Sequence, residues 1–185
     1  MGSTSTRTII ESTGTQYIDT GISGSANLKV ETDFQLANTT DSGTIFGNYT
    51  SSNLLVSGYS NGGKFSYPGN RRPVNITINT PDLNRHTIIF NNGDNKYYFD
   101  GAEVTAAGTA AYFYSNANIF LFNYYGALSV SISAKIYSFK ITDTSTDTVL
   151  INMVPVLDGN GVPCMWDTVS QTFFYNQGTG DFLYG

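Results

Sequence analysis

Residues 129–141, SVSISAKIYSFKI, constrain the fold more than any other stretch of this chain. Val130, Ile132, Ala134 and Ile136 alternate with Ser129, Ser131, Ser133 and Lys135. A period of two marks a strand with one buried face. The phase then slips by one residue, and Tyr137, Phe139 and Ile141 take over the apolar positions. Such a slip predicts a β-bulge, or a strand whose far half is covered on both sides. The expected element is a long central strand of a two-layer β-sandwich, with the chain end folding over its second half.

The rest of the chain is strand-like as well. Leu28–Leu36 alternates cleanly, with Leu28, Val30, Thr32, Phe34 and Leu36 inward and Lys29, Glu31, Asp33 and Gln35 outward. Glu11–Ile22 reads as a turn followed by a short strand. Short strands are expected at Gly43–Tyr49, Asn53–Tyr59, Lys64–Tyr67 and Pro73–Ile78, the last ended by Pro81. Arg85–Phe90 and Asn95–Phe99 flank Asn91-Asn92-Gly93-Asp94, a hairpin signal, and Asp100-Gly101 turns into Ala102–Thr105. Asn118–Asn123 and Thr148–Val154 follow on either side of the central strand. Cys164–Asp167 and Thr172–Asn176 form a last hairpin. No 3.6-residue pattern persists for three turns, so the expected class is all-β, a two-layer antiparallel sandwich.

The totals bound what such a fold does. With 185 residues the chain is expected to hold one domain, residues 11–185, behind a polar lead-in at 1–10. A globule of this length buries about 70% of its unfolded surface. It needs no disulfide, and Cys164 has no partner with which to form one. Charged residues make up 12%, against about 25% in an average domain, with Thr, Ser, Asn and Gly in their place. That shell correlates with extracellular and virion proteins. A net charge of −5 argues against a nucleic-acid surface, and Arg71-Arg72 is the lone adjacent basic pair. No run approaches the roughly 20 apolar residues of a membrane-spanning helix. The start lacks the apolar core of a signal peptide, which leaves a removed leader, a virion protein or a module of a longer chain as alternatives. Sequons occur at Asn38, Asn48 and Asn75.

An ordered set of segments resembles a known family. EST-GTQYIDTGI (11–22), VETDFQLA (30–37), TIFGNY (44–49), RHTIIFNNGDNKYYFDGAEV (85–104), IFLFNYYG (119–126), KIYSFKITD (135–143) and the stretch 154–185 carry the likeness. They are similar to the laminin-G-like, concanavalin A-like jelly-roll domains of bacterial surface proteins and phage tail or fibre proteins. The terminal FFYN-x-GTG-x-F piece, beside the GTQYIDTG start, is the most specific match. The resemblance implies two curved antiparallel sheets, with ligands on the concave face or the rim loops. It implies no single activity, because one fold hosts many.

Candidate chemistry is sparse. Glu31, Asp33 and Gln35 share one strand face, similar to the Glu-x-Asp-x-Glu strand of jelly-roll glycoside hydrolases. Gln35 cannot ionise, so the two-carboxylate mechanism lacks its proton donor, and no enzymatic activity is expected. His86 is the sole histidine and lacks a nucleophile-elbow sequence, which favours a structural imidazole. Cys164, in VPCMW, reads as a buried thiol. Trp166 reads as core. Oxygen-rich turns at Asn91–Asn95 and Asp158–Asn160 leave a bound calcium open, although neither has EF-hand spacing. No other cofactor is expected.

Thirteen tyrosines remain. Tyr49, Tyr59, Tyr67, Tyr124 and Tyr125 lie among Asn, Ser, Gly and Lys, where rings and amides together suit the C–H faces and hydroxyls of sugars. The expected ligand-binding set is therefore Asn48, Tyr49, Tyr59, Tyr67, Arg71, Asn123, Tyr124 and Tyr125. The expected partner is a glycan or cell-surface polysaccharide. The alternative is a structural protein contacting other virion or surface-protein subunits.

Overall fold

The computed structural model describes residues 5–41, 43–49, 54–60, 64–67, 74–76, 82–94, 96–104, 116–126 and 131–185. Among them are seventeen strands and no helix. The first eight are β1 (Ser5–Thr6), β2 (Ile10–Thr13), β3 (Ile18–Ser23), β4 (Leu28–Leu36), β5 (Gly43–Tyr49), β6 (Leu54–Ser60), β7 (Lys64–Tyr67) and β8 (Val74–Ile76). Then come β9 (Arg85–Asn91), β10 (Lys96–Phe99), β11 (Ala102–Glu103) and β12 (Asn118–Leu121). The last five are β13 (Ser133–Asp143), β14 (Thr148–Leu157), β15 (Pro163–Asp167), β16 (Thr172–Phe174) and β17 (Leu183–Tyr184).

They form two antiparallel sheets packed as a sandwich. The larger runs β11-β10-β9-β4-β13-β14-β15-β16, with β1 on β14, β2 on β13 and β17 on β2. The smaller runs β3-β12-β5-β6-β7-β8. The hydrophobic core between them takes Val30, Phe34, Ile88, Phe90, Ile136, Phe139 and Ile141 from the larger sheet. Ile18, Ile45, Phe46, Ile119 and Leu121 face them from the smaller one. Phe46 and Phe139 meet edge to face across the gap at 5.9 Å.

The central strand behaves as its phase slip requires. β13 pairs with β4 along its length, and the register shifts between Ile136 and Ser138, which makes Tyr137 the bulged residue. Its described span begins at Ser133, with Ser131 making an isolated bridge to Thr44 in the other sheet. On its other edge the first half pairs with β2 and the second with β14. β4 alternates buried and half-buried at all nine positions, as expected.

Other expectations shift. Glu11–Ile22 holds two strands in different sheets, β2 and β3, because Ser12 and Gln16 hydrogen-bond across the turn between them. The polar lead-in is stitched into the fold: β1 pairs with β14, and Ile10 is fully buried. β14 runs on to Leu157 through Pro155, which sits where β14 passes from β13 to β1. No N–H is needed there, so proline is tolerated. β12 stops at Leu121 because Phe122 turns to φ +62°. Trp166 is not core. It is half-buried on the outer face of β15, its ring 4.7 Å from Phe173, while Met165 points into the core. Cys164 is fully buried and unpaired, and burial, with the nearby Asp158 charge, pushes its thiol up to about 11.

Candidate functional site

Three of the expected tyrosines meet on the outer face of the smaller sheet. The loop after β12 is built to hold them. Phe122 donates its N–H to the Ile45 carbonyl at 2.7 Å and stacks on Phe182 at 5.5 Å. The Asn123 Oδ1 then accepts the N–H groups of Tyr124, Tyr125 and Gly126 at 2.7, 2.7 and 3.0 Å. Asn123 Nδ2 donates to Ser131 Oγ at 2.9 Å. Gly126 supplies the positive φ (+70°) that closes the loop, and its carbonyl accepts the Tyr17 hydroxyl at 3.1 Å.

This scaffold sets Tyr124 and Tyr125 against Tyr49 at the end of β5. The ring centroids lie 6.1 and 5.2 Å apart, both pairs near edge-to-face. Tyr49 is 36% exposed and Tyr125 58%, so the cluster opens to solvent. Tyr17 and Phe120 continue it across the same face, edge to face at 6.0 Å.

Of the other expected residues, two have a structural part. Asn48 and Asn123 are buried and act as struts; Asn48 Nδ2 donates to the Ala117 carbonyl at 2.9 Å. A buried amide cannot serve as a glycosylation acceptor, whatever its sequon. Tyr59 pairs with Gly43 at the far end of the β5–β6 hairpin from Tyr49, which pairs with Leu54. Tyr67 pairs with Val74, two strands from β5. Arg71 lies outside the described residues. Sequence reasoning missed Asp19 and Asn118, which share the outer face with the tyrosines. The alternation of β12, with Ile119 and Leu121 inward, already points Asn118 and Phe120 outward.

A cavity of about 300 Å³ lies on the outer face of the larger sheet, lined in part by Glu31, Asp33, Thr87, Ser138, Lys140 and Asn152. Its carboxylates are engaged. Asp33 takes a two-pronged bond from Arg85, Nε at 2.7 Å and Nη2 at 2.5 Å. The guanidinium lies 3.8 Å over the Tyr137 ring, whose hydroxyl donates to Gln35 at 2.8 Å. Glu31 sits between Lys29 at 3.3 Å and Lys140 at 3.4 Å.

His86 is clamped between Asp100 at 2.7 Å on Nδ1 and Asp82 at 2.9 Å on Nε2. Burial works to lower its pKa, but the two carboxylates outweigh it and raise the value above 6.5. Both ring nitrogens are therefore occupied by acceptors, and no hydroxyl nucleophile stands at either. The oxygen-rich turns are likewise self-satisfied. Asp158 Oδ1 accepts from the N–H groups of Asn160 and Val162, and Oδ2 from the Tyr175 hydroxyl. Asn91 and Asp94 bond each other. Among the described residues no group of three or more His, Cys, Asp or Glu side chains is placed to hold a metal ion.

No protein-family model matches the chain, and no curated protein does. The fold and the site together define an antiparallel β-sandwich carrying, on one sheet, a solvent-open aromatic cluster whose loop is anchored by Asn123.

Proposed function

We propose that this chain is a non-catalytic carbohydrate-binding module, with Tyr49, Tyr124 and Tyr125 as its contact surface. The carrying observation is the loop 122–126, which fixes two tyrosines by their backbone while leaving Tyr125 more than half exposed. Pre-positioning the backbone that carries two aromatic rings lowers the entropy lost when a sugar ring stacks on them. The laminin-G-like resemblance and the weakly charged shell favour a surface or phage-appendage setting, extracellular or on a virion.

The test is a glycan array followed by titration of the best hit. Tyr49→Ala, Tyr124→Ala and Tyr125→Ala should each weaken binding about tenfold while leaving the melting curve near the parent's. Full affinity in all three variants refutes the assignment.

A second reading has one observation in its favour. Trp166, Phe173 and Tyr175 form a ring row on the outer face of the larger sheet, at 4.7 and 6.0 Å. Partly exposed aromatic rows also serve assembly with other virion or surface-protein subunits. That reading predicts a concentration-dependent oligomer in sedimentation, abolished by Trp166→Ser, and no glycan affinity.

A further inference from the structure

We infer that the tyrosine site selects neutral saccharides and rejects acidic ones, and that Asp19 is the selecting residue. The inference rests on the carbohydrate reading above. β12 pairs with both β3 and β5, setting Phe120 opposite Asp19 on one side and Gly47 on the other. The Asn48 amide, bonded to the Ala117 carbonyl, ties the end of β5 to the residue that precedes Asn118. Asp19, Asn118, Phe120 and Tyr49 all stand on outward phases of their strands. A polar line thus borders the aromatic cluster on the same face.

That line is ordered. Asp19 Oδ1 accepts the Gly21 N–H at 2.8 Å, and Oδ2 accepts Asn118 Nδ2 at 3.2 Å. Asn118 Oδ1 in turn accepts the Ser23 hydroxyl at 3.3 Å. Each carboxylate oxygen keeps further lone-pair directions, and Asn118 keeps a second N–H. Half-buried Asp19 can accept from sugar hydroxyls, which always have a proton to give. A sugar carboxylate or sulfate has none, and it brings like charge to a site at which none of the described side chains supplies a countercharge. Among the described side chains the cations lie elsewhere: Lys29, Arg85, Lys96, Lys135 and Lys140 belong to the larger sheet, and Arg7 stacks on Tyr184. Like charges brought together in an interface suppress the wrong partner.

The experiment uses a panel of neutral oligosaccharides beside their uronic-acid, sulfated and sialylated counterparts, titrated at low and high salt. Acidic members should bind about tenfold or more weakly than their neutral partners at low salt. The gap should narrow at high salt, since screening acts on exposed charge. Asp19→Asn should close it, read as the ratio of neutral to acidic affinity within the variant, and the bond chain through Asn118 and Ser23 can reverse direction to accommodate the new amide. Neutral and acidic members bound equally by the parent, or a gap that persists in a folded Asp19→Asn, overturns the inference alone. The salt series on the parent decides the matter even where the variant misfolds. A panel in which nothing binds removes the carbohydrate reading, and the inference with it.

Discussion

At the residue scale, the side chains that matter most are those satisfying several backbone groups at once. Asn123 accepts three consecutive N–H groups, so Asn123→Ala leaves them without that acceptor in a half-buried loop. The expected loss is about 1–3 kcal/mol in urea unfolding, with sugar affinity falling alongside because Tyr124 and Tyr125 lose their anchor. His86 makes a pH prediction. Its pKa is raised in the folded state, so the bonds to Asp100 and Asp82 stabilise fully below pH 6.5. That contribution is lost as pH climbs through the higher folded value. The melting-point difference between the parent and His86→Gln should therefore be larger at pH 5.5 than at pH 9; a constant difference contradicts the clamp. Asp167 behaves in the opposite sense. Burial pushes its carboxyl up, but bonds from Asn152, Ser170 and Val169 outweigh that and hold it below 3.8. Its support is present above that value and goes as pH falls further.

At the element scale, legibility followed period. β4 and β13 were readable because one buried face imposes strict alternation, and even the bulge at Tyr137 showed as a phase slip. The boundary errors have local causes that a period does not carry. Phe122 enters a left-handed conformation that sequence rarely signals for phenylalanine, and it ended β12 early. Trp166 misled because hydrophobic character says nothing of which face of a two-faced strand is core. Strand-end tyrosines were legible as candidates, but the grouping of Tyr49, Tyr124 and Tyr125 depended on a fold-back fixed by Asn123. Asp19 and Asn118 were missed for want of any motif. The tightest joint between elements is also invisible in sequence. A Cβ on Gly178 would sit 1.9 Å from the Thr15 carbonyl oxygen, where the chain after β16 crosses the β2–β3 turn. Gly178→Ala must displace backbone, and a loss of about 1–3 kcal/mol or more is expected in denaturant unfolding. An unchanged midpoint would mean that this crossing is loose.

At the scale of the whole molecule, the two sheets divide the labour. The larger carries the paired charges and the His86 clamp, with Glu31, Asp33 and Glu103 held in ion pairs. Among its described side chains the smaller presents an aromatic surface with a line of hydrogen-bonding groups beside it. In the oxygen-rich turns, Asp158 accepts from its own backbone and from Tyr175, and Asp94 accepts from the Asn91 amide. The melting midpoint should be the same in calcium and in chelator, whereas a ligand of the native state would raise it.

The most direct measurement is glycan binding by the intact chain and by Tyr125→Ala, in calcium and in chelator. The account predicts a specific saccharide hit in both buffers, weakened about tenfold when the most exposed ring of the cluster is removed. A blank array, or a hit that Tyr125→Ala leaves untouched, contradicts it.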